Sequence, residues 1–144
     1  MIKAALFDLD GVVFETESQY SIFWGMIGRE YHPEIPDFEY RIKGQTLVQI
    51  YDKYFSEDSV FAHIKGYTDV KSEQDKITTR LNEFEKNMSY PYITGFEDFI
   101  KDLKQNGVKC AVVTSSNVQK MQNVYRQHPK FKGYFDRVLT SEDF

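Results

Sequence analysis

The chain has 144 residues, of which 41% are hydrophobic, enough to build a core without help from disulfides. Eighteen Lys and Arg against 22 Asp and Glu leave a formal charge of −4, and no basic run interleaved with aromatics tracks a nucleic-acid backbone, so nucleic acid is excluded as the expected partner. The single cysteine, Cys110, cannot close an intrachain disulfide, and no segment approaches a membrane span, so a cytoplasmic chain away from membranes is expected, as a monomer.

In chain order, residues 2–7 are a short apolar run rich in strand formers. It is too short for a secretion signal, and Asp8 and Asp10 interrupt it. The run ends at Asp8-Leu9-Asp10-Gly11, where Asp-Gly is a turn signal, and a fully buried strand is expected. Tyr20, Phe23, Trp24 and Ile27 then follow the i, i+3, i+4, i+7 spacing of a helix. Leu47, Ile50, Tyr51 and Tyr54 repeat it, as do Ile77, Leu81, Phe84 and Met88 with one gap widened. Residues 15–88 are therefore expected to be mainly helical, broken near His32-Pro33-Glu34-Ile35-Pro36 and around Gly66, with the aromatic stripes serving as packing faces.

The pattern breaks at Tyr90-Pro91, because a residue before proline is pushed towards an extended conformation. Phe96, Phe99, Ile100 and Leu103 fit another helix, closed by Asn106-Gly107. Residues 108–113 read as a second buried strand, with Cys110 as a structural thiol inside it. After Thr114-Ser115-Ser116-Asn117, a helical pattern restarts at Val118, Met121, Gln122 and Tyr125 and stops at Pro129. Val138-Leu139-Thr140 opens a third strand. This order implies an α/β fold with a parallel sheet and a helical insertion after the first strand. Residues 1–14 and 89–144 would form the discontinuous core, and 15–88 a cap too long for an ordinary connection.

Open parallel sheets bind ligands at the carboxyl ends of their strands, where both polar clusters fall. Asp8 and Asp10, at i and i+2, offer oxygen ligands for a hard cation such as Mg²⁺ and a nucleophile beside an acid. A carboxylate attacking phosphorus splits one difficult transfer into two, while a neighbouring carboxyl protonates the leaving oxygen and later deprotonates water. An acidic turn alone is common. The second cluster, Thr114-Ser115-Ser116-Asn117, adds hydroxyls, backbone N–H groups and a helix N-terminus suited to an anion. Together the clusters suggest phosphate. His32, His63 and His128 lack metal-ligand spacing and receive no role, and Lys101 and Lys104 read as solvated charges.

The stretch Phe7-Asp8-Leu9-Asp10-Gly11-Val12-Val13, with Glu15-Thr16-Glu17 after it, resembles the first motif of the haloacid dehalogenase superfamily, and Val112 to Asn117 resembles its second. Residues 92–117 and Gly133-Tyr134-Phe135-Asp136 are similar in order and spacing to its beta-phosphoglucomutase-like phosphatase branch. The resemblance implies a Rossmann-like core, Asp8 as nucleophile and Mg²⁺ ligand, and Asp10 as general acid/base whose backbone carbonyl also meets Mg²⁺. It implies Thr114 as a phosphate ligand, with Ser115 and Ser116 adding contacts; Asn117 completes that substrate-binding cluster. Glu15 stands where the branch often has Asp. Lys43-Gly44-Gln45-Thr46 resembles the cap's substrate-reading segment, which makes Lys43 a substrate-binding candidate, but Leu47 follows where sugar-phosphate mutases have arginine. The third-motif lysine and fourth-motif acidic pair are expected beyond Phe144, so the core is expected to be incomplete at its C-terminus.

The leading expectation is a Mg²⁺-dependent phosphomonoester hydrolase acting on a small phosphorylated metabolite. A phosphomutase is the alternative within the same chemistry, and a catalytically incomplete binding fragment the alternative outside it. A phosphoaspartate receiver domain, which also uses strand-end acids, is disfavoured by the long helical insertion.

Overall fold

The computed structural model describes residues 3–143, which divide into two compact units: residues up to Glu17 together with those from Met88 onward, and Ser18–Asn87. Ile2, the first residue of the expected strand over 2–7, lies outside the described residues.

The first unit is the α/β one. Its strands are β1 (Ala4–Phe7), β2 (Lys109–Val113) and β3 (Arg137–Leu139), in the spatial order β1-β2-β3. Both pairings are parallel, running from Ala4↔Lys109 to Phe7↔Val112 and from Ala111↔Arg137 to Val113↔Leu139. Parallel strands require a crossover, and a helix supplies each one back to the sheet. That before β2 spans Phe96–Gln105 and that after it Val118–Gln127. Ile100 and Val112 are fully buried, and so are Met121 and Val124.

β1 departs from the expected full burial. Leu6 is 73% exposed, and among the described residues β1 pairs only with β2. Phe7, on the other face, packs edge-on against the rings of Phe96 and Phe135, with centroids 5.8 and 6.0 Å away.

Beyond β1 the chain turns sharply. The Val13 and Phe14 N–H groups both donate to the Leu9 carbonyl, and Gly11 N donates to Phe14 O at 2.8 Å. Gly11 adopts φ +80°, which a side chain rarely tolerates. Residues 13–15 then run antiparallel to 91–93: Ile93 N donates to Val13 O, and Glu15 N to Pro91 O. Fully buried Phe14 fixes this crossing among Tyr90, Tyr92, His128 and Phe131.

The second unit is helical. In chain order, the helices of this part are α1 (Glu17–Tyr31), α2 (Phe38–Arg41), α3 (Leu47–Tyr54), α4 (Asp58–Phe61) and α5 (Val70–Asn87). The crossover helices of the first unit are therefore α6 (Phe96–Gln105) and α7 (Val118–Gln127). The expected stripes do form the helical core, in which Phe23, Trp24, Ile27, Ile50 and Ile77 are buried with Phe38, Phe55 and Phe61. Gly28 lets Phe38 approach: a Cβ there would lie 2.6 Å from the Phe38 Cβ. Thr46 caps α3 through a reciprocal pair with Gln49. Among the described residues no helix is long and apolar enough to cross a membrane.

Candidate active site

The parallel register sets the geometry. Phe7 pairs with Val112, so Asp8 and the Thr114 cluster leave neighbouring strands at the same edge of the sheet. Asp8 is exposed. Its Oδ1 accepts from Leu9 N at 2.8 Å, and its Oδ2 has no hydrogen-bond partner among the described residues. Such an oxygen is open to a substrate or a cation.

Asp10 is held quite differently. Thr16 Oγ1 donates to its Oδ1 at 2.6 Å, and Lys120 Nζ to its Oδ2 at 2.6 Å. The Lys120 side chain is 4% exposed and that of Asp10 27%, so this ion pair is largely withdrawn from water, and Thr16 is fully buried. Thr16 entered the sequence reading only within the stretch Glu15-Thr16-Glu17, without a role of its own, and Lys120 did not enter it. Lys120 lies one position before Met121 on an amphipathic helix and reads there as an ordinary solvated lysine. Its ammonium is matched by a carboxylate 110 residues earlier in the chain.

The Thr114 cluster closes on itself around one buried hydroxyl. Thr114 Oγ1 accepts from Ser116 N at 3.1 Å and lies 3.0 Å from Ser116 Oγ, and Thr114 N donates to Leu139 O. Asn117 is the N-cap of α7: its Oδ1 accepts from Lys120 N at 2.8 Å, so its side chain is committed to the helix start. Val118 N donates to Glu142 Oε2. The N–H groups of Ser115 and Asn117 make no hydrogen bond among the described residues, which leaves two donors at a helix N-terminus for an anion.

Glu15 is an exposed residue of the antiparallel crossing, and Lys43 belongs to the helical unit, where its ammonium stands 5.2 Å from the Tyr40 ring centre. The structure thus brings Asp8, Asp10 and residues 114–117 into one unit, while Lys43 falls in the other. For a magnesium ion, the available donors are an unclaimed Asp8 carboxylate oxygen and the Asp10 main-chain carbonyl, which accepts no backbone hydrogen bond. Oxygen-only donors suit a hard cation that keeps several waters. Among the described residues, no group of three or more His, Cys, Asp and Glu side chains could hold a metal.

The family model for haloacid dehalogenase-like hydrolases matches residues 5–144, and the chain belongs to that family. Among solved structures, a protein assigned as a beta-phosphoglucomutase from Thermotoga maritima is 17% identical with a TM-score of 0.65, the match covering 99% of this chain and 63% of that one. A protein assigned as a phosphoglycolate phosphatase from Haemophilus somnus 129pt is 15% identical with a TM-score of 0.69, over 99% of this chain and 64% of that one. CbbY from Rhodobacter sphaeroides, solved in complex with phosphate, is 20% identical with a TM-score of 0.52, over 100% and 65%. These likenesses establish the fold, and the chain spans just under two thirds of each of those proteins.

Proposed function

We propose that the protein carrying this chain is a Mg²⁺-dependent phosphomonoester hydrolase acting on a small phosphorylated metabolite. The observation that carries the reading is the shared sheet edge, where an exposed Asp8 oxygen stands free beside a strand ending in the Thr114 cluster. Family membership and the phosphatase, mutase and phosphate-bound neighbours support it.

In this reading Asp8 attacks phosphorus, the bond from phosphorus to the substrate oxygen breaks, and Asp10 gives that oxygen a proton. Asp10 then takes a proton from water as the water attacks the aspartyl-phosphate, and the bond from phosphorus to the Asp8 oxygen breaks. The Thr114 hydroxyl and the Ser115 and Asn117 N–H groups hold phosphoryl oxygens, while Asn117 fixes the helix start. When bound at Asp8 and the Asp10 carbonyl, Mg²⁺ supplies positive charge that offsets repulsion between carboxylate and phosphate. The expected cap over residues 15–88 would supply substrate selection in this reading, with Lys43 its candidate contact. Glu15 is the first residue of that cap.

Asp8→Asn removes the nucleophilic charge and leaves the shape. The whole protein bearing it should lose turnover of an aryl phosphate with Mg²⁺ by at least about a hundredfold. Turnover undiminished by this change overturns the reading, and isomerised product without phosphate release points to a mutase.

A further inference from the structure

We propose that Lys120 is the positioning residue for Asp10, an inference that rests on the phosphatase reading above for its catalytic consequence but not for its geometry. Lys120 is a buried ammonium on α7, and burial of an isolated charge is costly enough that it needs a close partner. Its Nζ donates to Asp10 Oδ2 at 2.6 Å, and the buried Thr16 hydroxyl donates to Oδ1 at the same distance. Both carboxylate oxygens are thereby fixed from two independent parts of the chain. At its other end, the Lys120 main-chain N–H is bound by Asn117 Oδ1. One residue therefore ties the helix start that follows Thr114 to the carboxylate that follows Asp8.

A buried ion pair contributes little net stability compared with an apolar pair of the same volume. What it does provide is direction. The Asp10 carboxylate cannot rotate freely while both oxygens are held, and a proton donor misplaced by about 1 Å can cost a hundredfold in rate. To serve the leaving oxygen, and then water, Asp10 must release one of the two contacts and keep the other as a pivot. Lys120 touches neither reacting atom in this scheme and acts through Asp10.

Two measurements test the proposal. In the first, the chain is given a brief pulse of acetic anhydride and its lysines are located by mass spectrometry. Lys120 should react at least about tenfold more slowly than exposed Lys109, and Asp10→Asn should remove most of that protection, because the ammonium loses the carboxylate charge it donates to. Equal reactivity of Lys120 and Lys109 in the unaltered chain, or protection unchanged by Asp10→Asn, overturns the ion pair as the holding contact. In the second, the whole protein is supplied with an aryl phosphate, a substrate whose leaving group needs little acid assistance. K120M should lower kcat by about a hundredfold with KM within about twofold, and should retain a phosphoryl group on Asp8, since water activation depends on a placed Asp10. K120R, which keeps the charge, should recover most of the rate and release the phosphoryl group. Equal losses in K120M and K120R without retained phosphate mean a structural role and overturn the proposal. If the unaltered protein takes no phosphoryl group on Asp8, the phosphatase reading fails separately, and the acylation comparison alone decides whether Lys120 holds Asp10.

Discussion

Gly11 and Lys120 show the two ways in which a single residue can be read. Gly11 was legible: an Asp-Gly pair after an apolar run marks a turn, and the chain there has φ +80° with Gly11 N bound to the Phe14 carbonyl. Gly11→Ala should destabilise the α/β unit by about 1–2 kcal/mol, the cost of a left-handed conformation for an L side chain. A thermal melt of the variant against the parent measures it, and an unchanged melting temperature would contradict the assigned turn. A Cβ at Gly11 would approach Glu17 Oε1 to 2.6 Å, but that is the end of a movable side chain and adds less than the backbone strain. Lys120 was not legible, since nothing local distinguishes a lysine bound for a carboxylate across the fold from one bound for solvent. Asp8, Asp10 and Thr114 could be nominated because strand ends are where a parallel sheet displays chemistry. That Asp10 would be clasped on both oxygens and Asp8 left with one free could not, as it depends on side chains far apart in the chain.

At the level of elements, the period of the apolar residues located the helices well and their exact limits less well. The stripe Ile77, Leu81, Phe84, Met88 crosses a boundary: α5 ends at Asn87, and Met88 joins the α/β unit, where its carbonyl accepts from Gln127 Nε2. Phe99 keeps the helical spacing of α6 but is 52% exposed, because periodicity identifies an apolar face without saying how much of it a neighbour covers. Tyr51 on α3 is a case where the stripe carries a titratable group. Burial, the largest influence, pushes its phenol up to about 12, and its hydroxyl donates to Gln74 O and meets Thr78 Oγ1 at 2.6 Å. A pKa raised in the folded state contributes stability that is fully present below pH 10 and is lost as pH rises through about 12. The parent should therefore lose melting temperature more steeply than Tyr51→Phe between those two values. Parallel curves for the two proteins would contradict the burial of the phenol.

For the whole molecule, the order of strands and helices was enough to infer a parallel α/β fold interrupted by a helical insertion, because right-handed crossover connections leave few alternatives. Ser18–Asn87 holds its own core of buried aromatics and aliphatics, and Tyr20 near its start donates to Glu85 near its end at 2.6 Å. Expressed alone, residues 18–87 should be helical by circular dichroism and melt in one cooperative transition. A featureless, non-cooperative melt would show that these helices depend on the rest of the chain.

The pairing of Ala4 with Lys109 also sets a schedule for the growing chain. β1 leaves the ribosome roughly a hundred residues ahead of its partner β2, about 5–20 s of synthesis. During that interval the helical insertion can complete its local contacts, whereas β1 waits without β2. Pairing of β1 with β2 therefore joins strands far apart in the chain, and it is this pairing that sets Asp8 beside Thr114.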